Sequence, residues 1–275
     1  MNLMALAESR GSVDAVLRRE AHDGIALFTL NRPATRNSLS LAMLEELIAA
    51  FGIVGTDPTV RVVVLAGEGP AFCSGHDLKE LTAHRADRDG GRGFFEKTWE
   101  RCGAMMQAIV ALPQPVIACV EGAAAAAGCQ LVASCDLAVA SEDATFSTPG
   151  VNIGLFCTTP MVPLSRNLAP KHALEMLLTG ERVSAAEAFR IGLVNRVVPA
   201  GRARAAAIGL AERIGSRSPA AIAIGKKAYY AQAGMGLAEA YDMAGRIMVE
   251  NMMNLQAREG IDAFLAKRAP KWDGE

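Results

Sequence analysis

The chain has 275 residues, with 28 basic and 29 acidic side chains; a formal charge of −1 excludes a protein built to neutralise nucleic-acid phosphates. Hydrophobic residues make up 51% and charged residues 21%, with no long charge block, which excludes disorder and leaves one large domain or two small ones. Cys73, Cys102, Cys119, Cys129, Cys135 and Cys157 show no metal-site spacing and no disulfide framework, so reduced thiols in a cytoplasmic protein are expected.

Residues 1–11 lack a basic region followed by a continuous apolar core, and Glu8, Asp14 and Glu20 argue against an acid-poor transit peptide. Residues 13–19 and 24–30 read as strands on either side of a hairpin-like break, His22-Asp23-Gly24. Ser40 is placed to cap a helix whose Leu41, Leu44, Leu47, Ile48 and Phe51 follow helical spacing. Val62, Val63, Val64 and Leu65 run together as in a strand covered on both faces. Gly90, Gly91 and Gly93 sit among charges and read as a mobile loop rather than a phosphate cradle. A helix follows them and ends before Pro113, and residues 116–120 and 137–140 are two further strands. Residues 109–139 form the most apolar stretch. Pro113, Pro115, Glu121, Gln130 and Asp136 interrupt it, so no spanning helix of ~18 apolar residues is predicted, and the protein is expected to be soluble.

The second half changes character. Pro170 opens a short helix that Gly180 closes. Ser184-Ala185-Ala186-Glu187 is a capping-box pattern with Gly192 as the stop. Ser218-Pro219 opens another helix, and a long helical tract is predicted over 237–266. The layout is an α/β core followed by helices. No Gly-x-Gly-x-x-Gly follows the first strand and no Gly-Lys-Ser/Thr exists, which leaves nucleotide-dependent chemistry little support.

Two segments could hold chemistry. Gly69-Pro70-Ala71-Phe72-Cys73-Ser74-Gly75-His76-Asp77-Leu78 suits a tight turn that presents backbone N–H groups. Glu121-Gly122, the alanines from Ala123 to Ala127 and Gly128-Cys129-Gln130 read as a helix start, with free amides and side chains small enough for close approach. Together they could supply the paired donors of an oxyanion hole. The plainer reading, that an alanine run lets helices pack closely, fits the spacing as well.

Leu30-Asn31-Arg32-Pro33, Arg36-Asn37-Ser38-Leu39 and Phe72-Cys73-Ser74-Gly75-His76-Asp77-Leu78, taken in order, resemble the crotonase (enoyl-CoA hydratase/isomerase) superfamily. The resemblance continues through Glu121-Gly122, Cys135-Asp136-Leu137, Leu178-Thr179-Gly180, Gly192-Leu193-Val194-Asn195 and the tail Glu259-Gly260-Ile261-Asp262-Ala263-Phe264. The segment Ser147-Thr148-Pro149-Gly150-Val151-Asn152-Ile153-Gly154-Leu155-Phe156-Cys157-Thr158 is similar to a branch named enoyl-CoA hydratase domain-containing proteins.

The resemblance implies an α/β spiral of strand-strand-helix turns over residues 1–205 and a helical trimerisation region over 206–275, assembled as a homotrimer or hexamer. It implies an acyl-CoA thioester as ligand, with coenzyme A part of the substrate, no permanent cofactor and no metal, nucleic-acid or membrane partner. It implies that the backbone amides of His76 and Ala127 hold the thioester oxygen, and that Ser74, Gly75, Asp77, Gly128, Asn152 and Thr158 line the substrate site. Arg36 would lie near the CoA phosphates, and Phe264 and Lys267 near the adenine.

The two glutamates of the hydratases fall at Gln130 and Gly150, neither of which transfers protons. The His76 imidazole is a replacement candidate, and some decarboxylases of the superfamily carry histidine there. Cys157 and Thr158 lack a visible base and read as pocket wall. Asp77 reads as a turn anchor, and Glu121 as a loop-orienting group. Three functions remain open: hydratase/isomerase-like chemistry through an enolate, decarboxylation or thioester hydrolysis, and silent acyl-CoA binding.

Overall fold

The computed structural model describes residues 15–272. The readings made for residues 1–11, for Asp14 and for the start of the first expected strand lie outside them. β1 (Leu17–His22) and β2 (Ile25–Leu30) form an antiparallel hairpin, with Leu17 opposite Leu30 and His22 opposite Ile25. Asp23 (φ 48°) and Gly24 (φ 78°) make the mirror-image turn that matches strand twist. The first strand therefore runs three residues beyond the expected Arg19, because pairing with β2 sets its end.

Ser40 Oγ accepts the Met43 N–H and starts α1 (Leu41–Gly55), whose buried Phe51 packs on Phe28 with ring centroids 5.6 Å apart. β3 (Val62–Gly67) is covered on both faces, as its apolar run requires. Val63 and Leu65 enter a large core, while Val62, Val64 and Ala66 enter a smaller one. Then come β4 (Ala71–Cys73), α2 (Leu78–Ala83), α3 (Arg92–Ala111), β5 (Val116–Val120), β6 (Ala123–Ala125) and α4 (Ala127–Ser134). β7 (Leu137–Ser141), β8 (Thr145–Ser147), α5 (Thr158–Asn167) and α6 (Pro170–Thr179) complete a third strand-strand-helix turn. β9 (Val183–Ser184), α7 (Ala185–Arg190) and β10 (Arg196–Val198) close the sheets.

One strand of each turn joins the six-stranded sheet β1-β2-β3-β5-β7-β10, and the other joins the four-stranded sheet β4-β6-β8-β9. The expected α/β spiral is the observed architecture. α8 (Ala203–Gly215) covers the outer face of the larger sheet with Ala203, Ala207, Leu210 and Ala211. The division expected at 205/206 thus falls inside a helix that belongs to the core. α9 (Pro219–Gln232), α10 (Leu237–Met253) and α11 (Leu255–Leu265) follow, and Ala263 is their one buried residue among those described. No helix among the described residues is long and apolar enough to cross a membrane.

Four local readings change. The alanine run after Glu121 opens not as a helix but as β6, because Ala123 to Ala125 pair with Thr145 to Ser147 of β8. The tract 237–266 breaks at Asn254, whose Oδ1 accepts the Gln256 N–H at 2.8 Å and starts α11. Ser184 caps α7, but the Glu187 carboxylate turns to Arg190 rather than completing the box. The glycines at 90–93 form a fixed turn: Asp89 takes the amides of Gly91 and Gly93 at 2.9 and 2.8 Å, leaving neither for a phosphate.

Candidate active site

The turn after β2 depends on one side chain. Arg36 and Asn37 both adopt left-handed backbone, φ 52° and 54°. Asparagine tolerates that region better than other non-glycine residues. Asn37 is fully buried, accepts the Arg32 N–H at 2.8 Å, and donates to the Glu68 and Ala71 carbonyls at 2.9 and 2.8 Å. It therefore ties the loop after β2 to the loop before β4. Backbone bonds carry the tie onward: Ser74 N–H to Arg36 O, Leu39 N–H to Gly75 O, and Asp77 N–H to Leu39 O. Asn37→Ala is expected to cost about 2–4 kcal/mol in urea unfolding. Asn37→Gly should recover only the conformational share of that loss.

This lattice sets Gly75 against the start of α4. A Cβ on Gly75 (φ 98°) would stand 2.9 Å from Ala126 Cβ and 3.4 Å from Ala127 N. A Cβ on Gly128 would stand 2.1 Å from Cys73 O. Only glycines let the two segments approach this closely. The strain of the junction falls on Ala126, at φ 50° and ψ −116°, a region that costs a non-glycine residue about 1–3 kcal/mol. Ala127 is the first helical residue and carries no positive φ. The Ser74, Asp77 and Ala126 amides are bonded to carbonyls, whereas those of His76 and Ala127 have no acceptor among the described residues.

The His76 ring lies 5.4 Å from that of Trp99, and both its nitrogens are buried without a partner. Burial pushes its pKa below the ordinary 6.5; the Leu39 carbonyl opposes this weakly, without reaching hydrogen-bond geometry. The fold thus holds a neutral imidazole. The unfolded chain binds a proton here that the fold refuses, so stability falls as pH drops from 6.5 toward the depressed value. Unfolding midpoints measured from about pH 7 to about pH 5 should show that slope, and His76→Gln should flatten it.

Gln130 is buried and its Oε1 faces the Cys102 thiol at 3.9 Å. Gly150 is closed off, since a Cβ there would lie 2.7 Å from Leu155 O and 2.9 Å from Cys157 Sγ. All six cysteines are buried and unpaired, and burial pushes the Cys102 and Cys129 thiols up to about 12. Cys157 is likewise raised, with the Gly150 amide pulling the other way.

Several expected substrate contacts are occupied by structure. Asp77 accepts the Lys79 and Glu80 amides and the Ser38 hydroxyl, so it caps α2. Ser74 Oγ donates to Thr35 O at 3.3 Å. Glu121 accepts the Ala203 N–H at 3.0 Å and starts α8. Asn152, Thr158 and Arg36 are exposed, as are Phe264 and Lys267 at the end of α11. Trp99 was not anticipated. Its spacing from Phe95, whose ring meets it edge-on at 6.2 Å, was the available signal.

Residues 20–275 match the family described as Enoyl-CoA hydratase/isomerase. The chain belongs to that family. It is 46% identical over 250 residues to the rat protein named enoyl-CoA hydratase domain-containing protein 3, mitochondrial, covering 91% of this chain and 82% of the relative. The crystal structure of the human domain-containing protein 3 superposes with a TM-score of 0.89 at 44% identity, over 94% of this chain and 100% of that one. The structure of a Mycobacterium smegmatis enoyl-CoA hydratase gives 0.90 at 49%, over 95% and 100%.

These names correct the cytoplasmic expectation, because the rat, mouse and human relatives are named mitochondrial and point to mitochondria instead. Reduced, buried thiols separate reducing from oxidising compartments and cannot separate two reducing ones.

Proposed function

We propose that the chain binds an acyl-CoA thioester with the thioester oxygen between the His76 and Ala127 amides, and stabilises an enolate there. The single observation carrying this is the pair of unbonded amides, drawn together by Gly75 and Gly128 across a strained Ala126. Preorganised donors of this kind contribute about 3–4 kcal/mol each to an oxyanion transition state. No metal or permanent cofactor enters this reading. Arg36 would meet the CoA phosphates, and Asn152 and Thr158 would edge the mouth of the site.

The chemistry differs from hydration. Gln130 can orient a carbonyl or water but not transfer a proton, and the space at Gly150 is filled by the Leu155 carbonyl and the Cys157 thiol. This favours reactions that need an enolate without a carboxylate pair, of which decarboxylation is the second reading; silent binding is the third. A homotrimer or hexamer is proposed as well, because α10 and α11 leave Leu237, Tyr241, Met253, Phe264 and Leu265 more than 70% exposed.

The test is mass spectrometry of crotonyl-CoA incubated with the protein in heavy water, alongside calorimetric binding of butyryl-CoA. Binding with deuterium uptake and no added water supports the enolate reading, and added water refutes the departure from hydration. Free CoA would mean thioester hydrolysis; binding without reaction would mean a silent binder. His76→Ala keeps the amide, so binding should survive. Installing Gln130→Glu with Gly150→Glu is expected to yield no hydratase and a less stable protein, since the second carboxylate has no room.

A further inference from the structure

The surroundings of the two proposed donors are closed. Ala127, Gln130, Cys102 and Cys157 are no more than 8% exposed, and both His76 ring nitrogens are buried. At Gly150 the Leu155 carbonyl and the Cys157 thiol fill the space. Trp99 differs: it is 36% exposed, while its ring stands 5.4 Å from the His76 ring. One turn further along α3, the Cys102 thiol faces the Gln130 side-chain oxygen at 3.9 Å. This stretch of α3 therefore lies alongside both segments that carry the donors, and Trp99 is where it borders solvent.

The indole is held loosely. Its ring partners are His76 and the edge of Phe95 at 6.2 Å, and its N–H has no acceptor among the described residues. Ring contacts of this kind are individually weak. Phe95 is better seated, because Asp89 holds the Gly91 amide and a Cβ on Gly91 would stand 2.8 Å from Phe95 Cζ. With Trp99 in place, the donor and the acceptor of the neutral His76 imidazole are both unmet in a buried position, a cost that uncovering them relieves.

We propose that Trp99 is the door to the acyl side of the site: the indole swings off the His76 ring when an acyl-CoA enters, and the acyl group takes its place. This rests on the acyl-CoA reading given above. Because Trp99 borders solvent, a change of side-chain rotamer suffices, and α3 stays anchored by its buried Met105, Met106 and Ile109. A closed resting state lowers the apparent affinity by the fraction of molecules that are open, and it makes entry wait on the motion.

Trp99 and Trp272 are the two tryptophans of the chain, so Trp272→Phe leaves Trp99 as the reporter. That variant is titrated with butyryl-CoA and with CoA alone, followed in parallel by calorimetry and by fluorescence. Butyryl-CoA should shift the Trp99 emission to the red and increase its quenching by iodide, and CoA alone should do neither. The difference between the wild-type protein and Trp99→Phe gives the same signal independently. Trp99→Ala should associate with butyryl-CoA several-fold faster by surface plasmon resonance, and Trp99→Phe should move in the same direction. A merely structural tryptophan would instead alter the dissociation rate alone. Absence of calorimetric binding overturns the acyl-CoA reading and the door together. Binding with unmoved Trp99 emission, an equal shift with CoA alone, or unchanged association rates in both Trp99 variants overturns the door alone.

Discussion

Replacing Gly128 with alanine is expected to weaken butyryl-CoA binding by about a hundredfold and to lower Tm by several degrees. The added Cβ would fall 2.1 Å from the Cys73 carbonyl oxygen, against a backbone that cannot step aside as a side chain tip can. Relief requires α4 to retreat from β4 by about an ångström. Overpacking of that kind costs about 1–3 kcal/mol, and a displacement of that size at a reacting centre costs about a hundredfold. The retreat would carry the Ala127 N–H away from the His76 N–H, so binding should suffer more than stability. Gly103→Ala is the matched control: it is also helical, its nearest neighbour is the Gln107 amide at 4.0 Å, and alanine there should be neutral or slightly stabilising. Equal ligand affinity in Gly128→Ala and the wild-type protein would remove the paired-amide site.

Periodicity and capping made most of the large elements legible. Ser40, Pro170, Gly180 and Ser218 mark helix ends by local chemistry that tertiary contacts do not override. The unbroken Val62–Leu65 run announces a two-sided strand for the same reason. The second sheet was illegible because its strands are two or three residues long, and an alanine triplet such as Ala123 to Ala125 carries no period to separate strand from helix. Pairing across the turns of the spiral decides it, and pairing is not local.

The candidate site divides the same way. Gly75, His76 and Gly128 stood out as small or unusual residues beside strand ends. Ala126 did not, because its strain is imposed by the junction rather than written in its side chain. Asn37 was visible as part of a resemblance, yet its physical task, one bond that closes its own loop and two that reach a distant one, appears only when 31–37 and 68–71 are brought together. Gln130 and Gly150 show the converse. The resemblance is what singles out these two positions as those of the hydratase glutamates, but only packing reveals that the space at Gly150 is taken by Leu155 and Cys157 rather than left open.

Lys226→Met is expected to lower stability by about 3–5 kcal/mol, roughly 10 °C in Tm. The Lys226 ammonium, 6% exposed, pairs with Asp136 at 2.7 Å and donates to the Ile109 and Gln114 carbonyls at 2.8 and 3.0 Å. Tyr230 donates to the other Asp136 oxygen at 2.9 Å, and Asp136 also takes the Val116 N–H. This network ties α9 to the core. Burial pushes the Lys226 pKa down despite the attraction of Asp136, so desolvation outweighs the pairing. Because the folded pKa is lowered, the unfolded chain binds the proton more tightly, and stability from this group rises with pH between the depressed value and 10.5. A buried charged pair is often no net gain over a well-packed apolar one, yet removing only the lysine strands a carboxylate and two carbonyls. Adding Asp136→Asn to Lys226→Met should restore part of the loss, since a neutral amide carries no stranded charge. A single variant within about 1 kcal/mol of wild type, or a double variant no better than the single, would show that α9 is held by its apolar contacts instead.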